Sequence, residues 1–182
     1  MVVPIPTAWA LMGYTVGVAV YGANLLFGIP KGDATSIGKG MAAWAFAYGG
    51  IAELIAAVWF LTPYGADFLS ATTFGVYGTF WLGLAALVWV GGDLKVASFM
   101  AVPVWIFSFI AAAAWYMAGA PIVSLLVVLI GLIFLMLTPG LYTGSSMFLK
   151  AGGALCLISI IVSLYLVAAV IFDVQFGWTL PL

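Results

Sequence analysis

Residues 122–138 read IVSLLVVLIGLIFLMLT, an apolar run with no charged residue. Its apolar residues are continuous and do not alternate with polar ones, which excludes the period-two pattern of a membrane β-barrel strand. In hydrocarbon such a run must satisfy its own backbone, and a helix does so. Five further runs of this kind cover residues 6–27, 41–61, 68–90, 97–118 and 150–172. A membrane-spanning helix needs about 20 apolar residues, so six helices occupy most of the chain and leave short connections. Those connections carry the punctuation: Gly28-Ile29-Pro30 with the polar stretch 31–40, Thr62-Pro63-Tyr64-Gly65, Gly91-Gly92-Asp93, Gly119-Ala120-Pro121, and Pro139-Gly140 followed by Gly144-Ser145-Ser146. Pro103 predicts a kink near the start of the fourth helix, and residues 173–182 form a short tail. The chain therefore reads as an all-α integral membrane protein, a single six-helix transmembrane domain over residues 1–182, with no internal repeat.

Composition excludes most other classes. Of 182 residues, 67% are hydrophobic and 5% charged, with 4 Lys+Arg against 5 Asp+Glu. A soluble domain carries roughly a quarter charged residues, so a soluble enzyme cannot be covered and a disordered tail would not stay solvated. There is no basic patch for phosphate contacts, hence no nucleic-acid partner. Histidine is absent and Cys156 is the single cysteine. An intrachain disulfide is impossible, Cys156 reads as a small packing residue, and no catalytic constellation, metal site or cofactor site can be assembled. The first run lacks a basic start and a convincing cleavage site, so it is expected to be retained.

Lysines set the orientation. Lys31 and Lys39 follow the first helix, Lys95 the third and Lys150 the fifth. The positive-inside rule then places these odd-numbered connections in the cytoplasm and both termini outside, in a multi-pass inner or plasma membrane protein.

In lipid, small residues let helices meet. Spacing four gives such ridges at Ala71, Gly75, Thr79 and Gly83 on the third helix, at Gly13 and Gly17 on the first, and at Ala45, Gly49 and Ala57 on the second. Glu53 falls on that last ridge, near mid-membrane, where a charge costs about 2.5–3.5 kcal/mol by insertion scales. Such a carboxyl must be protonated, hydrogen-bonded or beside water. Glu53 is read as lining a solute pathway in preference to acting as interhelical glue, because intramembrane carboxylates are functional by default. Thr73 shares a face with Tyr77, and Ser163 shares one with Cys156 and Ser159. Taken singly, hydroxyls in membrane helices usually bond their own i−4 carbonyl. Asn24 reads first as a cap or an interhelical bond, and most tryptophans and tyrosines as interfacial belts.

Three local motifs occur in order. Tyr48-Gly49-Gly50-Ile51-Ala52-Glu53 resembles the second-helix signature of the acetate uptake transporters, the succinate–acetate permease family. Thr73-Phe74-Gly75-Val76-Tyr77-Gly78-Thr79-Phe80-Trp81 resembles that family's next signature, and Gln175-Phe176-Gly177-Trp178-Thr179-Leu180-Pro181 its ending. The resemblance implies a six-helix protomer with its own pore, assembled as a homo-hexameric ring that passes acetate and similar small carboxylates. It implies an apolar constriction, which by position falls on Tyr14, Tyr77 and Ile130, with Glu53 and Ser163 close by. Two motif positions depart from the family: its first-helix Asn-Pro-Ala-Pro-Leu-Gly motif is reduced here to Ile5-Pro6-Thr7-Ala8-Trp9-Ala10, and Glu53 replaces a usual glutamine. Cytoplasmic termini, implied by the family's fungal members, also run against the lysine count. Tyr14-Thr15-Val16-Gly17, Asn24 and Phe74-Gly75 are more distantly similar to the acid-gated urea and short-amide channels.

An ionised Glu53 beside the route would repel acetate by several kcal/mol at an effective dielectric near 20. Either Glu53 is protonated, the solute travels as the neutral acid, or the solute is not an anion. With no Lys, Arg or His expected inside any helix, no fixed positive site holds a carboxylate. The expectation is passive or proton-linked permeation of acetate-sized solutes, with Tyr14, Tyr77 and Ile130 as the constriction and Glu53, Thr73, Ser163 and Asn24 along the pathway. The alternatives are a channel for urea or short amides, and a non-transporting membrane assembly subunit.

Overall fold

The computed structural model describes residues 5–182. Six helices in it are long and apolar enough to cross a membrane. They are α1 (Ile5–Phe27), α2 (Ala34–Leu61), α3 (Phe68–Trp89), α4 (Leu94–Met117), α5 (Pro121–Thr143) and α6 (Ser146–Phe176). Each packs on its sequence neighbours, and α6 closes back on α1. The bundle is therefore a closed ring of antiparallel neighbours, and the inward faces of all six helices converge on one axis. All four lysines, with Asp33 and Asp93, lie at one end of this ring, while Asp67 and Asp173 lie at the other.

The helix starts follow local chemistry. Asp33 caps α2, accepting the Ser36 backbone N–H at 2.8 Å, and this bond holds its carboxyl below the usual carboxylate range. Asp67 caps α3 through the N–H groups of Leu69 and Ser70, and Asp93 caps α4 through that of Lys95. Three boundaries differ from expectation for this reason or a related one. The stretch 31–40 is a loop only to residue 33, because Asp33 offers an oxygen to the first free N–H groups and nucleates helix at Ala34. α5 runs through Pro139 to Thr143 and stops where Gly144 takes a left-handed φ of +70°, a conformation glycine adopts without a Cβ penalty. α6 starts at Ser146 and continues to Phe176. Lys39, Lys95 and Lys150 are consequently in helices, all near their N-terminal ends, and mid-membrane depth holds no cation.

Within α2, residues Ala45–Ile51 form a π-helical segment, the wider turn that often accompanies functional sites. It coincides with the Tyr48-Gly49-Gly50 motif, and the glycines explain how neighbours reach it. A Cβ on Gly49 would stand 2.6 Å from the Trp81 ring, and one on Gly50 2.3 Å from the Leu82 side chain. On α1, a Cβ on Gly13 would stand 2.0 Å from the Tyr48 carbonyl oxygen. The ridge Ala45, Gly49, Glu53, Ala57 is buried as expected. The α3 ridge is not one face: Ala71 is buried against α1 and α2, Gly83 meets Met100 of α4, and Thr79 is exposed. Close approach to α2 is made instead by Gly78, whose added Cβ would lie 3.0 Å from the Gly50 carbonyl. Gly22 and Gly153 play the same part where α1 crosses α6, with Cys156 packed beside them.

Candidate functional site

A cavity of about 210 Å³ occupies the axis of the ring. Its lining residues identify its extent. Asn24 near the end of α1, Gly38 and Met41 at the start of α2, Leu94 at the start of α4 and Leu141 near the end of α5 surround its mouth, at the lysine-bearing end. Tyr14, Tyr77 and Ile130 close it at mid-depth, and all three are at least nine-tenths buried. Phe80 and Phe134 meet edge to face at 4.5 Å just above them. On the other side, Ala10, Phe60, Ala71 and Phe74 form a separate packed cluster, with the Phe60 and Phe74 rings stacked at 5.9 Å.

Both tyrosines at the deep end of the cavity have their hydroxyls engaged by the wall. Tyr14 Oη donates to Ser159 Oγ at 2.8 Å, and Ser159 Oγ donates in turn to the Cys156 carbonyl. Ser108 Oγ gives its proton to the Val104 carbonyl, so the 2.9 Å contact with Tyr77 has Tyr77 Oη as donor. The rings are thus pinned to α6 and α4, and with Ile130 they give the neck a carbon surface. The asymmetry of these bonds has a measurable consequence. Ser159→Ala or Ser108→Ala leaves a tyrosine hydroxyl buried without its partner, which destabilises by about 1–3 kcal/mol. Tyr14→Phe or Tyr77→Phe leaves each serine still bonded to its own carbonyl, so the loss is smaller. Thermal unfolding of the purified protein should rank both serine variants below both phenylalanine variants; the reverse order would contradict the assigned donors.

The remaining sequence-nominated residues divide. Asn24 lines the cavity with Tyr14, Tyr77 and Ile130. Ser163 does not; it forms a clasp between α1 and α6, with Thr15 Oγ1 at 2.6 Å and the Leu11 carbonyl at 3.2 Å. Thr73 bonds its own Leu69 carbonyl and accepts the Trp115 indole N–H at 3.2 Å, one turn away from Tyr77 and off the cavity wall. Glu53 is 1% exposed and does not line the cavity. Its Cβ faces Gly78 and its carboxyl neighbours Trp81, whose ring forms the wall in front of it. Glu53 Oε2 has no hydrogen-bond partner among the described residues. Trp81, Phe134 and Ser108 were not anticipated from the sequence. Trp81 lies inside the quoted α3 motif, but Ser108 is one serine in an apolar helix and carries no signal before its contact with Tyr77 is known.

No protein-family model matches this chain, and no curated relative does. A solved structure, that of the bacterial acetate channel SatP, aligns with a TM-score of 0.84 over 99% of this chain and 99% of its own, at 21% identity. The chain has the SatP fold. The six-helix membrane architecture implied by the motif resemblance is therefore found, and SatP's full-length coverage extends the likeness from three short motifs to the whole ring.

Proposed function

We propose that this protein is a channel or permease for acetate and similar small carboxylates, passive or proton-linked, and not an enzyme. The observation that carries this reading is the closed ring of helices around a cavity that ends on Tyr14, Tyr77 and Ile130. SatP, which shares the fold, is an acetate channel. A neck with its hydroxyls turned into the wall offers little to replace the hydration of a carboxylate, and stripping an unpaired charge into such a surface costs several kcal/mol. Proton-linked passage, as the neutral acid or with a companion proton, suits this geometry. All four lysines lie at the end where the cavity opens, against Asp33 and Asp93 there, and this net positive end raises the local concentration of anions. Trp81 stands between Glu53 and the cavity, so Glu53 acts on the pathway through Trp81 and does not meet the solute directly. Thr73 ties α3 to α4 through Trp115, and Ser163 ties α1 to α6 through Thr15, next to Tyr14 in the chain. The lysine-bearing end is cytoplasmic and both termini are external, as the positive-inside rule requires, and the protomers assemble as a six-fold ring in the plasma membrane, as the motif resemblance implies.

Purified protein in liposomes tests the reading. An acetate gradient should acidify the interior faster than in protein-free vesicles, without a comparable acceleration of urea-driven reswelling. Urea flux without proton movement would replace it with the neutral-amide channel, and flux of neither would leave an assembly subunit.

A further inference from the structure

Five acidic residues occur in the chain, and four of them lie at the ends of the ring: Asp33 and Asp93 beside the lysines, Asp67 and Asp173 opposite. Glu53 alone stands at mid-depth. Its side chain is sealed from solvent, and Oε2 has no hydrogen-bond partner among the described residues. A buried carboxylate needs an opposite charge or several hydrogen bonds to be tolerated. The helices packed against this part of α2 are α1 and α3, and neither contains a charged residue. From them Tyr14 and Tyr77 stand near the carboxyl, and Tyr21 rests against Trp81 in front of it. On α2 itself Tyr48 points outward, stacked on Trp44, and Lys39 is about four turns away. In such surroundings the group is held as the neutral acid. Loss of its proton would place a full negative charge behind the wall of the cavity. Trp81 lines the cavity on one side and neighbours the Glu53 carboxyl on the other, so one indole ring separates the acid from the space a solute occupies. Across a low-dielectric wall of that thickness two negative charges repel without touching, and salt screens them little.

We propose that Glu53 is a proton-binding site that controls the entry of anions into the cavity. With its proton on, the cavity admits acetate; with the proton gone, a fixed carboxylate repels it. The proton leaves the carboxyl O–H for cavity water past Trp81, and returns by the same way. Permeation is therefore favoured in acid and falls as pH rises through the titration of Glu53. The control of flux rests on the proposed acetate conduction; the proton site does not.

Carbodiimide labelling tests the proton site without any flux. Full-length protein in lipid nanodiscs is treated with dicyclohexylcarbodiimide, an apolar reagent that adds to protonated carboxyls. The acid proton moves to a carbodiimide nitrogen and the carboxyl oxygen bonds to the central carbon. An oxygen-to-nitrogen acyl shift then gives a stable acylurea, and nothing leaves. Where water is present the first adduct is hydrolysed instead, so the four aspartates should carry little label. Mass spectrometry is expected to place the adduct on Glu53, with a roughly tenfold or greater loss of labelling between about pH 5 and about pH 9. Trp81→Phe, which thins the ring in front of Glu53, should label several-fold faster than the parent. Glu53 unlabelled in acid in both proteins, or labelled equally at both pH values, would overturn the proton site. Equal rates for the two proteins would overturn passage of the proton past Trp81. In vesicles, the ratio of parent to Glu53→Gln acetate flux cancels the titration of the solute itself. That ratio should fall roughly tenfold over the same pH range, and a constant ratio would overturn the control. Labelling without acetate flux in either protein would refute conduction and leave the site.

Discussion

Gly13→Ala is expected to be the most destabilising single-methyl change in this protein. The new Cβ would stand 2.0 Å from the Tyr48 carbonyl oxygen, 2.9 Å from its carbonyl carbon and 3.2 Å from the Ala52 Cβ. The first two obstacles are backbone, held in the π segment of α2, and cannot rotate away as a side-chain tip would. α1 must therefore move off α2. Overpacking of this kind costs about 1–3 kcal/mol and sometimes more; with backbone as the obstacle the upper end applies, equivalent to a fall in thermal midpoint on the order of 10 °C for a chain of this length. Two alanine variants calibrate the result. Gly17→Ala meets the Trp81 ring at 3.5 Å, an ordinary contact, and Gly40→Ala meets nothing within 4 Å. Both should unfold near the parent, with Gly40→Ala raised slightly by helix propensity. Equal midpoints for Gly13→Ala and Gly40→Ala would mean that α1 does not lie against Tyr48. Since Tyr14 follows Gly13, the same displacement should also open the neck.

The apolar runs and their lengths were enough to specify six helices, because in hydrocarbon the backbone must satisfy itself and unbroken apolar runs exclude the alternation of a barrel strand. The ends were harder to read. Residues 31–40 contain three glycines and two lysines and look like a loop, yet one capping carboxylate at Asp33 starts the helix among them. The π segment left no periodic trace; Gly49, Gly50 and the Tyr48 carbonyl are where α1 and α3 come close to it. At the site, the family resemblance, carried over by position, named Tyr14, Tyr77 and Ile130, of which only Tyr77 lies in a quoted motif, and all three line one cavity. Their hydroxyl partners could not, since Tyr14 meets Ser159 across 145 residues and Tyr77 meets Ser108 across 31. Glu53 shows the limit most clearly. The small-residue ridge correctly placed it on a buried face, but a face turned to a neighbouring helix and a face turned to the central cavity are equally buried. Only the position of Trp81 distinguishes them.

Tyr77→Ala should change what passes, and Tyr77→Phe should not. Tyr77 contributes a ring to the neck and a hydroxyl to the α3–α4 contact, and the two substitutions remove these separately. Phenylalanine keeps the ring and forfeits the bond to Ser108, which retains its own bond to the Val104 carbonyl. The neck keeps its shape, so the ratio of acetate to benzoate flux in liposomes should match the parent. Alanine removes the ring as well, and Ser108 is again left satisfied. Losing a buried aromatic side chain costs about 3–5 kcal/mol of stability, so folded material must be selected by its melting transition before flux is compared. In that material benzoate should gain on acetate by roughly tenfold or more, the discrimination a shape-limited site exerts per excess group. The proton dependence should persist, because neither substitution introduces or removes a charge beside the neck. Should Tyr77→Phe and Tyr77→Ala leave the ratio equally unchanged, the cavity would not be the route, and the solute would cross elsewhere in the assembly.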